Sequence, residues 1–294
     1  MKSTEAINTA NQNAVLVGTK IRFAELNIKD KTVTGQVATT YQTESSSVGV
    51  SKRLFDNATL KPLRAIRSRV AKFVKEKTLP WDDNGGRLLP ASNLTEFQVV
   101  IGECREALNE QVEKVIQNYQ EIITEAKSRL GQMFDETEFP TVEQLREKYG
   151  IETNFEPMPK VDGFRLTGLN GENDKLKKEM TKSLTTKINN AHADIFDRLL
   201  SVMRHLSEKL TEPESVFRDS SVVAVFEEIR NARDLNFTND TNLTDLCDRL
   251  EILLVSCNVA TMTPTALRAS ESNRQDGVKV LNLAVDEILA NSPM

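Results

Sequence analysis

Between Lys52 and Lys77 the chain carries Lys52, Arg53, Lys61, Arg64, Arg67, Arg69, Lys72, Lys75 and Lys77 against only Asp56 and Glu76, a local charge of +7. The 294 residues hold 38 Lys and Arg, 43 Asp and Glu, and a net charge of −5, which leaves −12 for the remainder. Cations gathered on one stretch of an anionic chain are the electrostatic footprint of a polyanion site, where ammonium and guanidinium groups displace counterions from phosphates. A solvated helix face paired with acidic neighbours has the same composition. Upstream, Lys20, Arg22, Lys29 and Lys31 extend the basic region, and Tyr41 and Trp81 flank it as aromatic platforms on which unpaired bases can stack. Trp81, between Pro80 and Asp82, also suits a packing anchor.

Other chemistry finds little support. Val17-Gly18-Thr19-Lys20 lacks the glycine spacing of a phosphate-wrapping loop. Asp82-Asp83 lies in a Gly-rich stretch and reads as a turn rather than as half of a metal site. The two histidines, His192 and His205, stand too far apart for a zinc pair on one helix and read as polar helix surface. Three cysteines without a Cys-x-x-Cys argue against a disulfide framework or structural zinc, and Cys104 and Cys257 fall on apolar stripes as core thiols. No Gly-x-Ser-x-Gly is present. The reading is therefore a non-enzyme with no cofactor and no metal.

The elements that must position the basic stretch follow from periodicity. Val15, Val17, Ile21 and Phe23, then Val33 and Val37 after Lys29-Asp30-Lys31, predict a small β-ribbon or sheet. Residues 38–50, rich in Ser and Thr, predict a mobile loop. Leu60, Leu63, Ile66, Val70 and Phe73 recur every three or four positions and predict an amphipathic helix that stops before Pro80. Residues 78–93, with two prolines, two glycines and Trp81, predict a structured connection.

From Phe97 to Met133 apolar residues recur at a mean spacing of about 3.6, predicting one straight helix of about 40 residues. Thr141 and Gln144 form a capping box for a short helix, and residues 155–166 suggest a further strand. Leu176 to Leu210 predict a second long helix, and the two long stripes are expected to cover each other as an antiparallel spine. Shorter helices over 216–235, 243–257, 265–269 and 277–290 cap that spine. The fold class is mainly α with a small N-terminal β-ribbon or sheet (α+β). The division expected is 1–93, holding ribbon, loop and basic helix, and 94–294, a helical body, the two forming one or two domains. Ile116 and Ile123 lie off the main stripe and suggest a homo-oligomer. No apolar run is long enough for a membrane span and residues 1–13 lack a signal-peptide core, so a cytoplasmic location is expected.

Thr78-Leu-Pro-Trp81, Arg87-Leu-Leu-Pro90, the run from Phe139 to Gly150 and Phe217-Arg-Asp-Ser220 resemble a family of mostly helical phage proteins without assigned function. Size and layout are also similar to the single-stranded-DNA-binding cofactors of phage RNA polymerase. The second resemblance implies binding of locally melted promoters and recruitment of a phage RNA polymerase in the host cytoplasm. It supplies no motif residues, so the phosphate contacts Lys52, Arg53, Lys61, Arg64, Arg67, Arg69, Lys72 and Lys75, with Tyr41 and Trp81 stacking, rest on charge alone. The rival expectation is a helical adaptor or scaffold whose basic face docks an acidic surface of a phage or host protein.

Overall fold

The computed structural model of the chain describes residues 3–160, 172–212, 217–256 and 263–292. It is 71% helical with a small antiparallel sheet near the N-terminus, which is the mainly α class expected. In order, the elements begin α1 Ser3–Asn13, β1 Ala14–Arg22, β2 Asn27–Lys29, α2 Lys31–Thr40, β3 Ser51–Arg53, α3 Asn57–Lys77, β4 Leu79–Pro80 and β5 Arg87–Pro90. They continue α4 Leu94–Gln117, α5 Tyr119–Leu130, α6 Val142–Lys148, β6 Gly150–Pro157, α7 Glu172–Thr211, α8 Asp219–Asp234, α9 Thr241–Ser256, α10 Pro264–Ala269 and α11 Glu271–Asn291. One sheet has the order β4-β5-β1-β6, with β1 antiparallel to β5 from Ala14↔Pro90 to Val17↔Arg87, and β2 pairs only with β3.

Four local expectations are corrected. Val33 and Val37 belong to helix α2 rather than to a strand, because Asp30 accepts the Val33 N–H at 2.9 Å and caps the helix. A spacing of four serves a helix face as well as strand alternation, and the cap decides between them. The loop expected over 38–50 accordingly begins only after Thr40. The long helix expected over 97–133 is interrupted at Asn118, whose side-chain amide donates to the Lys114 carbonyl at 2.9 Å and competes with the backbone ladder. The expected strand over 155–166 is β6, which begins at Gly150 and ends at Pro157, and residues 161–166 lie outside the described residues.

The chain forms two compact units, one of residues 1–18, 74–97 and 154–294, the other of 19–73 and 98–153. Residues on both sides of position 93 contribute to each. In the first, Leu184, Ile188, Ala191, Ile195, Leu199, Leu206 and Leu210 form the buried stripe of α7 at helical spacing. Its cover comes from α11 and α8, with α1 alongside. The other long stripe, on α4 and α5, lies mostly in the second unit.

In the second unit Leu54, Phe55, Leu60, Leu63 and Val70 are buried, as are Ile101, Cys104, Leu108, Val112 and Leu145. Edge-to-face rings, Phe23 on Tyr149 and Phe55 on Tyr119, fill the remainder. The Thr141 and Gln144 capping box is present at α6.

Candidate nucleic-acid interface

Helix α3 starts where Asp56 accepts the Thr59 N–H at 2.8 Å, and hydrogen bonds from the Thr59 side chain and then this N–H hold the Asp56 carboxyl below its ordinary range. With Leu60, Leu63 and Val70 turned inward, the helical period places Lys61 and Lys72 within roughly 20° of each other on the outer side, about 16 Å apart along the axis. Both are exposed, and Lys61 has no ion-pair partner among the described residues.

The arginines on the flanks are engaged. Glu25, in the turn between β1 and β2, accepts from Arg64 Nε at 3.0 Å and again from Arg64 Nη2, and its other oxygen lies 3.5 Å from Arg67 Nη1. Hydrogen bonding to Arg64 is the main reason the Glu25 carboxyl sits below its ordinary range. Arg67 also lies over the Phe23 ring, 4.7 Å from its centroid. Arg69 meets Glu103 at 3.3 Å, with both side chains 57% exposed, a geometry that contributes little to stability.

Lys52 and Trp81 are corrected. Lys52 is buried in β3, where its ammonium lies 2.7 Å from Glu138, 3.7 Å from Asp30 and 2.7 Å from the Met133 carbonyl that accepts from it. The hydrogen bond to Glu138 raises its pKa against the opposing effect of burial. A side chain so enclosed acts as an internal tie and is withdrawn from external phosphate. Trp81 is 6% exposed in the core of the α7 unit, with Lys187 Nζ 5.3 Å from the ring centroid, so no face is open to a base. Tyr41, by contrast, is 76% exposed just after α2. Arg53 is exposed on β3 and adds to the positive field on Glu25. Lys75, exposed in the last turn of α3, belongs to the α7 unit, so it does not share the compact unit of the other cationic candidates.

Sequence reasoning missed the carboxylates that answer these cations: Glu25, Asp30, Glu103 and Glu138. The only local signal was Glu25 and Asp30, two acids among Lys20, Arg22, Lys29 and Lys31. The unit of residues 19–73 and 98–153 contains seventeen Lys and Arg against sixteen Asp and Glu, so folding brings the acids of 98–153 to the basic stretch and leaves the unit nearly neutral.

The remaining candidates have structural roles. Asp82 accepts the N–H groups of Asn84 and Gly86 at 2.9 Å each and closes the β4–β5 hairpin, in which Gly85 takes the left-handed φ of 87°. Gly18 lies within β1, where a Cβ would collide with Asn154. His192 is corrected from surface to interior: it packs edge-to-face on Phe196, faces Asp240 at 3.2 Å, and burial lowers its pKa. Cys104 is buried as expected, and Cys257 lies outside the described residues. Among the described residues no group of His, Cys, Asp and Glu could hold a metal ion, and no helix is long and apolar enough to cross a membrane. No protein-family model, curated protein or solved structure matches the chain.

Proposed function

We propose that the protein binds single-stranded DNA without catalysing a reaction, along the outer face of α3. The observation that carries this reading is the exposed row of Lys61 and Lys72, flanked by Arg64 and Arg69, whose ion pairs lie at the surface and can exchange a carboxylate for a phosphate. Arg53 and Tyr41 of the same unit add charge and an open ring. Following its resemblance to phage polymerase cofactors, the protein's partner is a phage RNA polymerase brought to melted DNA, and self-association of the chain multiplies weak contacts. The near neutrality of the unit favours a second reading, a helical adaptor whose cationic row meets an acidic protein surface.

A titration of a labelled single-stranded oligonucleotide at two salt concentrations tests the first reading. Wild type is expected to bind with a steep salt dependence, and Lys61→Ala/Lys72→Ala to flatten the slope of log affinity on log salt by about 1.4, or 0.7 for each phosphate contact. Absence of a shift at low salt, or an unchanged slope in the double variant, leaves the adaptor reading.

A further inference from the structure

Asparagine is followed by glycine twice in the chain, at Asn84-Gly85 and at Asn170-Gly171, and the first pair lies among the described residues. Such a pair is chemically labile. The backbone nitrogen after an asparagine can close a five-membered ring on the side-chain amide carbon, and because the reaction is intramolecular, access and position govern its rate. A β-carbon on the second residue crowds that approach, and glycine has none.

The β4–β5 hairpin leaves Asn84-Gly85 open to this reaction. Both residues are exposed, and beyond the chain neighbours no atom lies within 4 Å of the place a Cβ on Gly85 would take. The Asn84 side chain has no hydrogen-bond partner among the described residues, whereas Asn93, Asn118 and Asn236 donate theirs to the carbonyls of Lys77, Lys114 and Asp240. The Asp82 carboxylate holds the N–H groups of Asn84 and Gly86 at 2.9 Å each. Between them, the Gly85 N–H makes only a 3.4 Å contact with the Asp82 carbonyl. The turn is thus fixed on either side of the reacting nitrogen, which is itself weakly held.

We propose that Asn84 is a site of spontaneous covalent modification that converts it to aspartate and isoaspartate. The Gly85 backbone nitrogen attacks Cγ of Asn84: the N–Cγ bond forms, the Cγ–Nδ2 bond breaks, and Nδ2 leaves as ammonia with the proton the backbone nitrogen has lost. Water then opens the cyclic imide. Opening at Cγ gives aspartate, and opening at the main-chain carbonyl gives isoaspartate, in which the chain runs through Cβ and Cγ. Water is the only co-reactant, and nothing is oxidised or reduced. Isoaspartate lengthens the main chain inside a turn that Asp82 holds, and either product places a third carboxylate beside Asp82 and Asp83. The hairpin therefore loosens at its closing bond, where the Trp81 N–H donates to the Gly86 carbonyl at 3.0 Å. The site shares no residue with the outer face of α3, so it stands apart from the DNA-binding reading.

The test incubates the full-length protein at mildly alkaline and mildly acidic pH, digests it with trypsin and follows the exchange of an amide for an acid by mass spectrometry. Cleavage after Lys77 and Arg87 isolates residues 78–87, in which Asn84 is the only amide side chain. Residues 166–175, released by the same digest, hold Asn170 and are read separately. A synthetic peptide of sequence 78–87 gives the rate without the fold. The native protein is expected to convert within about tenfold of that rate, as a surface loop that opens at little cost allows. Conversion is faster at alkaline pH, gives two products of equal mass that chromatography separates, and is absent from Asn84→Gln. Amide exchange at Trp81 quickens about threefold in the aged wild type and stays unchanged in the aged Asn84→Gln protein. Protection by the fold of more than about tenfold, or an equal gain of acid in Asn84→Gln, overturns the modification site. Unchanged exchange at Trp81 in the converted wild type overturns the loosening of the hairpin.

Discussion

Around α7, cohesion comes from helix stripes packed on one another: Leu199, Leu206 and Leu250 are fully enclosed among the buried residues of α8 and α11. Around α3, an apolar core of the same kind is overlaid by ties between charges, with Glu25 holding two arginines and Lys52 enclosed between Glu138 and Asp30. Apolar burial is non-directional and is not weakened by charge screening. Ion pairs depend on partner, pH and screening, and those at the surface can be exchanged for an external anion. Surface pairs of that kind occur in both units, Arg233 with Asp248 and Glu251 in the α7 unit for one; what sets the α3 unit apart is that its pairs lie within the basic stretch, beside the exposed Lys61 and Lys72.

The largest effect expected is on the α7 side. Trp81→Ala should cost about 3 to 5 kcal/mol in urea denaturation and leave oligonucleotide affinity unchanged. Tyr41→Ala, its exposed counterpart, should do the reverse: less than about 0.5 kcal/mol of stability, with weaker binding. An affinity loss in the Trp81 variant without a stability loss would put a stacking face where the structure shows core.

On the α3 side, Lys52→Ala should cost about 3 kcal/mol, because it leaves Glu138 and Asp30 facing each other without their cation. A loss of less than about 1 kcal/mol would remove the internal tie from the contrast between the units. Glu25→Gln should strengthen oligonucleotide binding about threefold at low salt by releasing Arg64 and Arg67. Unchanged affinity in that variant would mean these arginines do not reach the ligand.

The smallest effect separates the units by pH. His192 has its pKa lowered by burial, so its contribution is full above the ordinary value of 6.5 and is lost as the pH falls through the lowered one. Glu25 and Asp56, lowered by hydrogen bonding to Arg64 and Thr59, contribute fully above 4.5 and 3.8 and lose that contribution at lower pH still. Glu228, raised by burial, acts in the opposite sense, its contribution fading as the pH rises through its raised value. Fluorescence of the single tryptophan, Trp81, reports the α7 unit. The loss of stability it follows as the pH falls below 6.5 should disappear in His192→Phe, which removes the titrating ring and keeps an aromatic on Phe196.

Periodicity made α3 and α7 legible, since each repeats its apolar residues at the helical spacing, and the Thr141 and Gln144 capping box did the same for α6. It misread Val33 and Val37, where the deciding contact is a side-chain cap, and it ran through Asn118, whose interruption is a competing hydrogen bond invisible to a count of apolar residues. For the candidate site, the cations and their helix were legible, and Lys61 and Lys72 stand exposed on one face. The enclosure of Lys52 and Trp81 was not legible, because each depends on residues far along the chain: Met133 and Glu138 for one, Lys187 and the α7 stripe for the other.

The order of amino acids settled where helices form and how many positive charges one stretch carries, because backbone hydrogen bonding and apolar spacing act over a few residues. Which of those charges remain available was decided only when residues 98–153 folded against 19–73. Electrostatic attraction falls with distance through space, not along the chain, so an acid such as Glu25, thirty-nine residues from Arg64, becomes its closest counterion only in the folded protein.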